Sequence, residues 1–137
     1  MKTFFNVQHS TRNIDLALLL TRVALGILML THGIPKIALL QADPVMFVDF
    51  MGLGASTSLL LAIFAEVICS VLIIVGLGTR FAAVPLIITM LVAVFMVHAA
   101  DPFSVKELAL HYLLGYLILL VLGSGKYSMD SFISKRS

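Results

Sequence analysis

Four long apolar runs, at about 15–39, 58–77, 80–99 and 105–122, fill most of the chain, and only short polar breaks separate them. Each is close to the roughly 20 residues that cross about 30 Å of hydrocarbon. Lipid offers no partner to a free amide, so each run predicts a helix. Residues suited to helix ends mark the breaks: Asn13 before the first run, Ser56 or Thr57 before the second, and Gly78-Thr79 between the second and third. Ser104-Val105-Lys106-Glu107 has the S-x-x-E form of a capping box that opens the fourth. Between the first two runs, Asp43 precedes a first-turn Pro44, Gly52 follows, and Met46, Phe50 and Leu53 share one helical face. This pattern predicts a short amphipathic helix lying in the interface, with an ordinary capping loop as the alternative. The expected fold is all-α, an integral membrane four-helix bundle forming one domain over 1–137.

Composition sharpens this reading. Of 137 residues, 61% are hydrophobic and 12% charged, against about half and a quarter in a soluble domain. The mean hydropathy is +1.11. Almost nothing is left over for a water-soluble module, and no nucleic-acid partner is expected. The net charge of +2 therefore bears on orientation. Lys2, Arg12, Arg80, Lys126, Lys135 and Arg136 fall on one side of the four spans. Lys36 and Lys106 fall on the other, with Asp43, Asp49, Asp101 and Glu107. Basic loops stay inside, so both termini are expected in the cytoplasm of a multi-pass protein of a bacterial inner membrane. The first run exceeds signal-peptide length, contains Arg22 and has no small-x-small pattern after it, which predicts a retained span. Cys69 stands alone, so one chain builds neither a disulfide nor a multi-cysteine metal or iron-sulfur site.

Arg22, His32, Glu66, His98 and His111 lie inside the spans, where a charge at the helix centre costs on the order of 2.5 to 3.5 kcal/mol. Such groups are expected to face the bundle interior. At about 1.5 Å per residue from the cytoplasmic end, Arg22 stands at about 10 Å, Glu66 and His111 at about 16 Å, and His32 and His98 at about 26 to 27 Å. Together they predict a polar zone opening toward the outside. Glu66 is the sharpest signal, because a lone carboxylate in LLLAIFAEVICSV must be paired or neutral. Arg22 is the one cation judged deep enough to pair with it, and a structural staple is compatible with a functional carboxylate. In His32-Gly33-Ile34-Pro35-Lys36, the proline loosens the helix end, while Lys36, one turn after His32, snorkels to the interface. His32 and His98 either line a cavity mouth or bond headgroups and loop carbonyls. His111 either joins the zone or satisfies itself between helices or on Glu107 one turn earlier. Tyr112 adjoins the zone. No H-x-x-x-H or E-x-x-H pair occurs on one helix, so neither metal nor haem ligation is expected. Gly26, Gly33, Gly76 and Gly115 allow close helix approach, and the methionines and the N-terminal Phe4-Phe5 pair read as packing and anchoring groups.

These spacings resemble the DoxX family of small four-helix bacterial and archaeal membrane proteins. The matching features are Arg22-x-x-x-Gly26, the His32-to-Lys36 segment, Glu66 in mid-helix and Gly76-Leu77-Gly78-Thr79-Arg80 at the turn. His98, Glu107 and the terminal Gly123-Ser124-Gly125-Lys126-Tyr127-Ser128-Met129-Asp130 complete the pattern. His111 departs from it, standing where the family is usually aliphatic. The family takes its name from a subunit associated with quinone-linked oxidation of reduced sulfur compounds, so the resemblance implies a membrane redox role. On that reading Glu66 and His32 are the catalytic candidates, and Arg22, Lys36, His98, His111 and Tyr112 bind the ligand. The ligand would be a quinone or a similar apolar molecule. The chain carries no flavin, haem or iron-sulfur motif, so no cofactor is expected within it and a redox partner protein must handle the electrons. Two other classes compete: a non-catalytic scaffold that recruits partner proteins, and a small transporter working as a homo-oligomer.

Overall fold

A computed structural model describes residues 10–137. Lys2 and the Phe4-Phe5 pair lie outside the described residues. Helix α1 spans Thr11–Leu39, α2 Ala55–Val75, α3 Thr79–Val97 and α4 Phe103–Leu122, all four long and apolar enough to cross a membrane. A short α5, Met129–Ser134, follows, and no strand occurs among the described residues. The protein is an all-α membrane four-helix bundle.

Several helix ends differ from the sequence-based expectation. Helix α1 begins two residues before Asn13, after Ser10. Helix α2 begins at Ala55, directly after Gly54 at φ 89°. The Ser104–Glu107 capping box does not form, because the extended Pro102 already ends the incoming chain and Ser104 falls inside α4. Pro35 does not break α1, which runs on to Leu39, as neighbouring helices and side chains allow in a membrane bundle.

The interfacial helix proposed over 43–52 is absent, and the segment is an irregular loop. Side chains there outbid the helical ladder for backbone donors. Ser58 Oγ accepts from Phe50 N (2.8 Å) and Asp49 Oδ1 accepts from Gly54 N (2.9 Å). Met51, Gly52 and Gly54 all adopt positive φ, which no α-helix accommodates.

At the opposite end the C-terminal segment closes onto the α2–α3 turn. Asp130 Oδ1 accepts from Gly78 N (2.8 Å) and its Oδ2 from Thr79 N (3.3 Å), capping α3. Asp130 N donates to Gly76 O at 3.0 Å. Asp15 Oδ1 accepts from Lys126 N (2.9 Å), tying the same segment to α1.

The core lies along the shared axis of the four long helices, with Met29, Ala65, Cys69, Ile73, Leu86, Tyr116 and Leu119 buried. Phe81, Phe95, Leu20 and Val121 point outward, as expected of side chains meeting lipid. The register of α1 on α2 is set where Gly33 meets Glu66: a Cβ on Gly33 would stand 2.8 Å from Glu66 Cβ and 3.0 Å from the Glu66 carbonyl carbon. Only a residue without a side chain lets the two backbones come this close.

Candidate functional site

Two stretches depart from α-helical geometry, Phe64–Cys69 in α2 and Ala93–Val97 at the end of α3, where the backbone widens to π-helical bonding. Such widening collects at functional sites, and here the first stretch carries Glu66 while the second delivers the chain to His98. Between them lies a cavity of about 190 Å³, lined by His32, Lys36, Glu66, His98 and Tyr112 with Met29, Met90 and Ala93.

Lys36 Nζ donates to Glu66 Oε2, and the two form an ion pair. This corrects two expectations at once. Glu66 does not pair with Arg22, and Lys36 does not snorkel outward. The cause is the Gly33 contact, which sets Glu66 level with Gly33. Lys36 is three residues from that contact, whereas Arg22 is eleven residues away, about 16 Å along the helix. With α1 unbroken at Pro35, Lys36 stays on the face that meets α2. The Glu66 side chain is 5% exposed and that of Lys36 25%, so the pair is nearly dry on its acidic side.

Arg22 is buried elsewhere and does not reach the cavity. Its Nη1 donates to Ile74 O (2.9 Å) and Ile73 O (3.3 Å), and its Nη2 donates to Tyr127 O. It therefore satisfies the Ile74 carbonyl left over at the end of α2, adds to the Gly76 N bond already on Ile73 O, and fastens the C-terminal segment. Gly76, at φ 73°, makes room for it: a Cβ there would fall 2.2 Å from Arg22 Nη1.

His32 meets the edge of Tyr112 in a T-shaped pair, centroids 5.8 Å apart. Tyr112 in turn stacks with Tyr116 at 6.1 Å. His98 Nδ1 lies 2.7 Å from Asp101 Oδ2, which orients the imidazole at the cavity rim. His111 does not join the site. It lies on the exposed face of α4, and its Nδ1 sits 2.7 Å from the backbone carbonyl of Glu107, not from the carboxylate. Adjacent residues on a helix point about 100° apart, so a buried Tyr112 turns His111 away. Of the seven residues singled out from the sequence, the fold thus brings together His32, Lys36, Glu66, His98 and Tyr112, and leaves Arg22 and His111 outside.

A second cavity, of about 480 Å³, lies against the first and shares Lys36, Glu66, Ala93 and His98 with it. Its other walls are mainly apolar, from Ala62, Phe64 and Ala65 of α2, Ile88 and Val92 of α3, and Phe47 and Phe50 of the α1–α2 loop. Its two hydroxyls are already engaged, Ser58 with Gly54 O and Phe50 N, and Thr89 with Pro85 O. The groups left to meet a guest are the ion pair and His98.

The arrangement offers an ammonium donor, a carboxylate acceptor, a phenol and two imidazoles around a small space, with a larger apolar space beside it. Sequence reasoning missed the second cavity, the loop aromatics that cover it and the role of Asp101. Only Asp101 left a readable signal, its i,i+3 spacing from His98. Among the described residues no three His, Cys, Asp or Glu side chains gather into a metal-binding group.

The family model for DoxX matches residues 17–99, a stretch holding Arg22, His32, Lys36, Glu66 and His98. The chain is 33% identical over 132 residues to an uncharacterized membrane protein of Mycobacterium tuberculosis, an alignment covering 85% of this chain and 80% of the relative. It is 39% identical over 75 residues to an uncharacterized protein of Haemophilus influenzae, covering 52% of this chain and half, 50%, of that protein. No solved structure matches. With its four membrane helices, its Glu66 in mid-span and a match over most of its length, the chain belongs to the DoxX family.

Proposed function

We propose that the protein binds a quinone, or a similar apolar molecule with a polar head, at the Lys36–Glu66 pair, as the membrane subunit of a quinone-linked redox system. The observation that supports this is the position of the pair: an ion pair with a buried carboxylate and a partly exposed ammonium stands in the wall common to a small polar cavity and a larger apolar one. Small-molecule sites are mostly apolar spaces of about 300 to 1,000 Å³ with a few convergent polar groups, and the larger cavity, at about 480 Å³, fits that description.

A head group in the smaller cavity meets Lys36 Nζ and the Tyr112 hydroxyl as donors to carbonyl oxygen, and Glu66 as acceptor from a hydroxyl. The apolar remainder extends along Phe47, Phe50, Ala62 and Ile88. A bound quinone supplies a two-electron, two-proton couple, and the electrons are exchanged with a partner protein. Within this chain Glu66 holds or gives up a proton at its carboxylate, with Lys36 balancing the charge. His32 and His98, the latter oriented by Asp101, carry protons between the cavity and water at the loop end. Arg12, Arg80, Lys126, Lys135 and Arg136 gather at the end that carries the termini, which favours a cytoplasmic position for that end and an outward-facing site in a bacterial inner membrane.

The test is solvent extraction of gently purified protein and mass spectrometry of the co-purifying lipids, for wild type, Glu66→Gln and His32→Ala. Quinone retained by wild type above its ratio in bulk membrane, and depleted in folded variants, is the expected result. Equal ratios in all samples, or no quinone with wild type, would overturn the proposal. Uptake of an apolar solute into liposomes without any redox couple would instead favour the transporter reading.

A further inference from the structure

The outward face of α4 is mainly apolar, with Leu108, Leu114 and Val121 exposed, but one polar stripe interrupts it. Ser104, Glu107 and His111 are all exposed. Their spacing of three and four residues sets them in one stripe along the helix. The stripe borders the seam with α1, since one turn beyond His111 a Cβ on Gly115 would meet Leu25 Cδ1 at 2.5 Å. Ser104 and Glu107 lie within the first turn and a half of α4, within reach of headgroups. His111 stands about 12 Å in, near mid-membrane. Ionisable groups at that depth almost always face protein or a water-filled space.

The chemistry of the stripe specifies what covers it. Glu107 O is a carbonyl and can only accept, so His111 Nδ1 carries the proton of the bond between them. In the tautomer that this bond selects, Nε2 is the acceptor left free on the ring. One turn nearer the surface stands the Glu107 carboxylate, which makes no ion pair among the described residues. Both groups are acceptors and one is negative. A second copy of this chain, set against the stripe by a two-fold axis, would bring carboxylate to carboxylate and lone pair to lone pair. The complementary surface is a helix with donors at matching depths.

We propose that this face of α4 docks a transmembrane helix of a different protein, one presenting a Lys or Arg at the membrane boundary and a hydroxyl or amide donor one turn deeper. The basic group meets Glu107 and the donor meets His111 Nε2. The inference rests on α4 alone and stands whether or not the cavities take a quinone.

The test uses labelled full-length protein in lipid vesicles and two synthetic membrane-spanning Leu/Ala peptides, followed by energy transfer. One peptide carries Lys at its boundary and Asn one turn deeper; the other carries neither. Interhelical hydrogen bonds in membranes contribute about 0.6 kcal/mol on average, so the first peptide is expected to associate about threefold more tightly. That preference is expected to vanish in Glu107→Gln/His111→Leu, with helicity and thermal unfolding of that variant unchanged. Equal association of both peptides with wild type would overturn the proposal. So would self-association of the labelled protein that is lost in the double variant, which would assign the face to a second copy.

Discussion

Replacing Lys36 with Met strips the partner from a carboxylate whose side chain is 5% exposed. Two unit charges about 4 Å apart attract by about 4 kcal/mol at an effective dielectric of about 20, and removing one member of a buried pair costs about 3 to 5 kcal/mol. Lys36 is 25% exposed, so water already screens part of that interaction, and the expected loss is about 2 to 4 kcal/mol. Glu66→Gln is milder, about 1 to 2 kcal/mol, because a lysine released from its partner reaches the interface along its own stem. In Lys36→Met/Glu66→Gln neither charge remains, and the double variant is expected to return to within about 1 kcal/mol of wild type. The assay is unfolding in mixed micelles titrated with dodecyl sulfate and followed by far-ultraviolet circular dichroism, closed into a double-mutant cycle. A coupling of about 2 kcal/mol or more is expected between Lys36 and Glu66. The same cycle between Arg22 and Glu66 should be additive within about 0.5 kcal/mol, as for sites with no shared partner. Additive losses at Lys36 and Glu66, or coupling that follows Arg22 instead, would refute the assignment of the pair.

The remaining expectations concern the supports of the site. Arg22→Met removes three donations to carbonyls, each worth about 1.5 to 3 kcal/mol to a charged donor but shared by one group. A loss of about 3 to 5 kcal/mol is expected, with faster amide exchange over 127–134 by mass spectrometry. Asp130→Ala uncaps α3 and should cost about 1 to 2 kcal/mol, with exchange rising first at the Gly78 and Thr79 amides. Gly33→Val forces a side chain into the Glu66 backbone and should cost about 1 to 3 kcal/mol or more, and a cross-link between cysteines placed on α1 and α2 should slow as the helices part. His111→Leu should leave the stability of the isolated protein within about 0.5 kcal/mol of wild type, a thermal scan in detergent being sufficient to see it.

The four spans were legible because each depends on a local quantity, the length of an apolar run measured against the thickness of hydrocarbon. Boundaries depended on competition between donors and acceptors, and there local patterns misled. Asp43, Pro44 and Gly52 read as the ends of a helix, yet the Phe50 amide is claimed by Ser58 from the next span and the Gly54 amide by Asp49. Asn13 and Ser104 are good caps in type, but the chain enters α1 and α4 earlier than they allow. The identities of the cavity residues were legible for a similar reason. An ionisable group in a span is expected to turn inward, and His32, Lys36, Glu66, His98 and Tyr112 do converge, whereas Arg22 is spent on carbonyls elsewhere and His111 stays on the outer face of α4. Their pairing was not legible, since heights counted along separate helices carry no information on how far one helix slides past the next.

That sliding is fixed where Gly33 meets Glu66, and together with the space left at Gly76 it separates two polar centres that the sequence alone suggested were one. Gly33 brings Glu66 up to the level of Lys36, so the carboxylate faces the cavities with a cation that is partly wet. Gly76 opens the space that Arg22 fills, so the guanidinium is spent on carbonyls and on the C-terminal segment. The division has a chemical logic. Arginine holds its charge under all conditions and suits a permanent clamp, whereas lysine is the cation that changes protonation readily when its surroundings change. On the proposed function, the Lys36–Glu66 pair is therefore the one suited to meet the head group of a guest, and the Arg22 clamp is not. Exchanging the two, as Arg22→Lys with Lys36→Arg, should preserve the net charge and lose both the closure of the C-terminal segment and, on the proposed function, the retention of quinone at Glu66. Amide exchange over 127–134 reads the first loss, and mass spectrometry of quinone co-extracted with the protein reads the second. Retention of both in the swapped protein would show that the two cations are interchangeable and the division of roles is wrong.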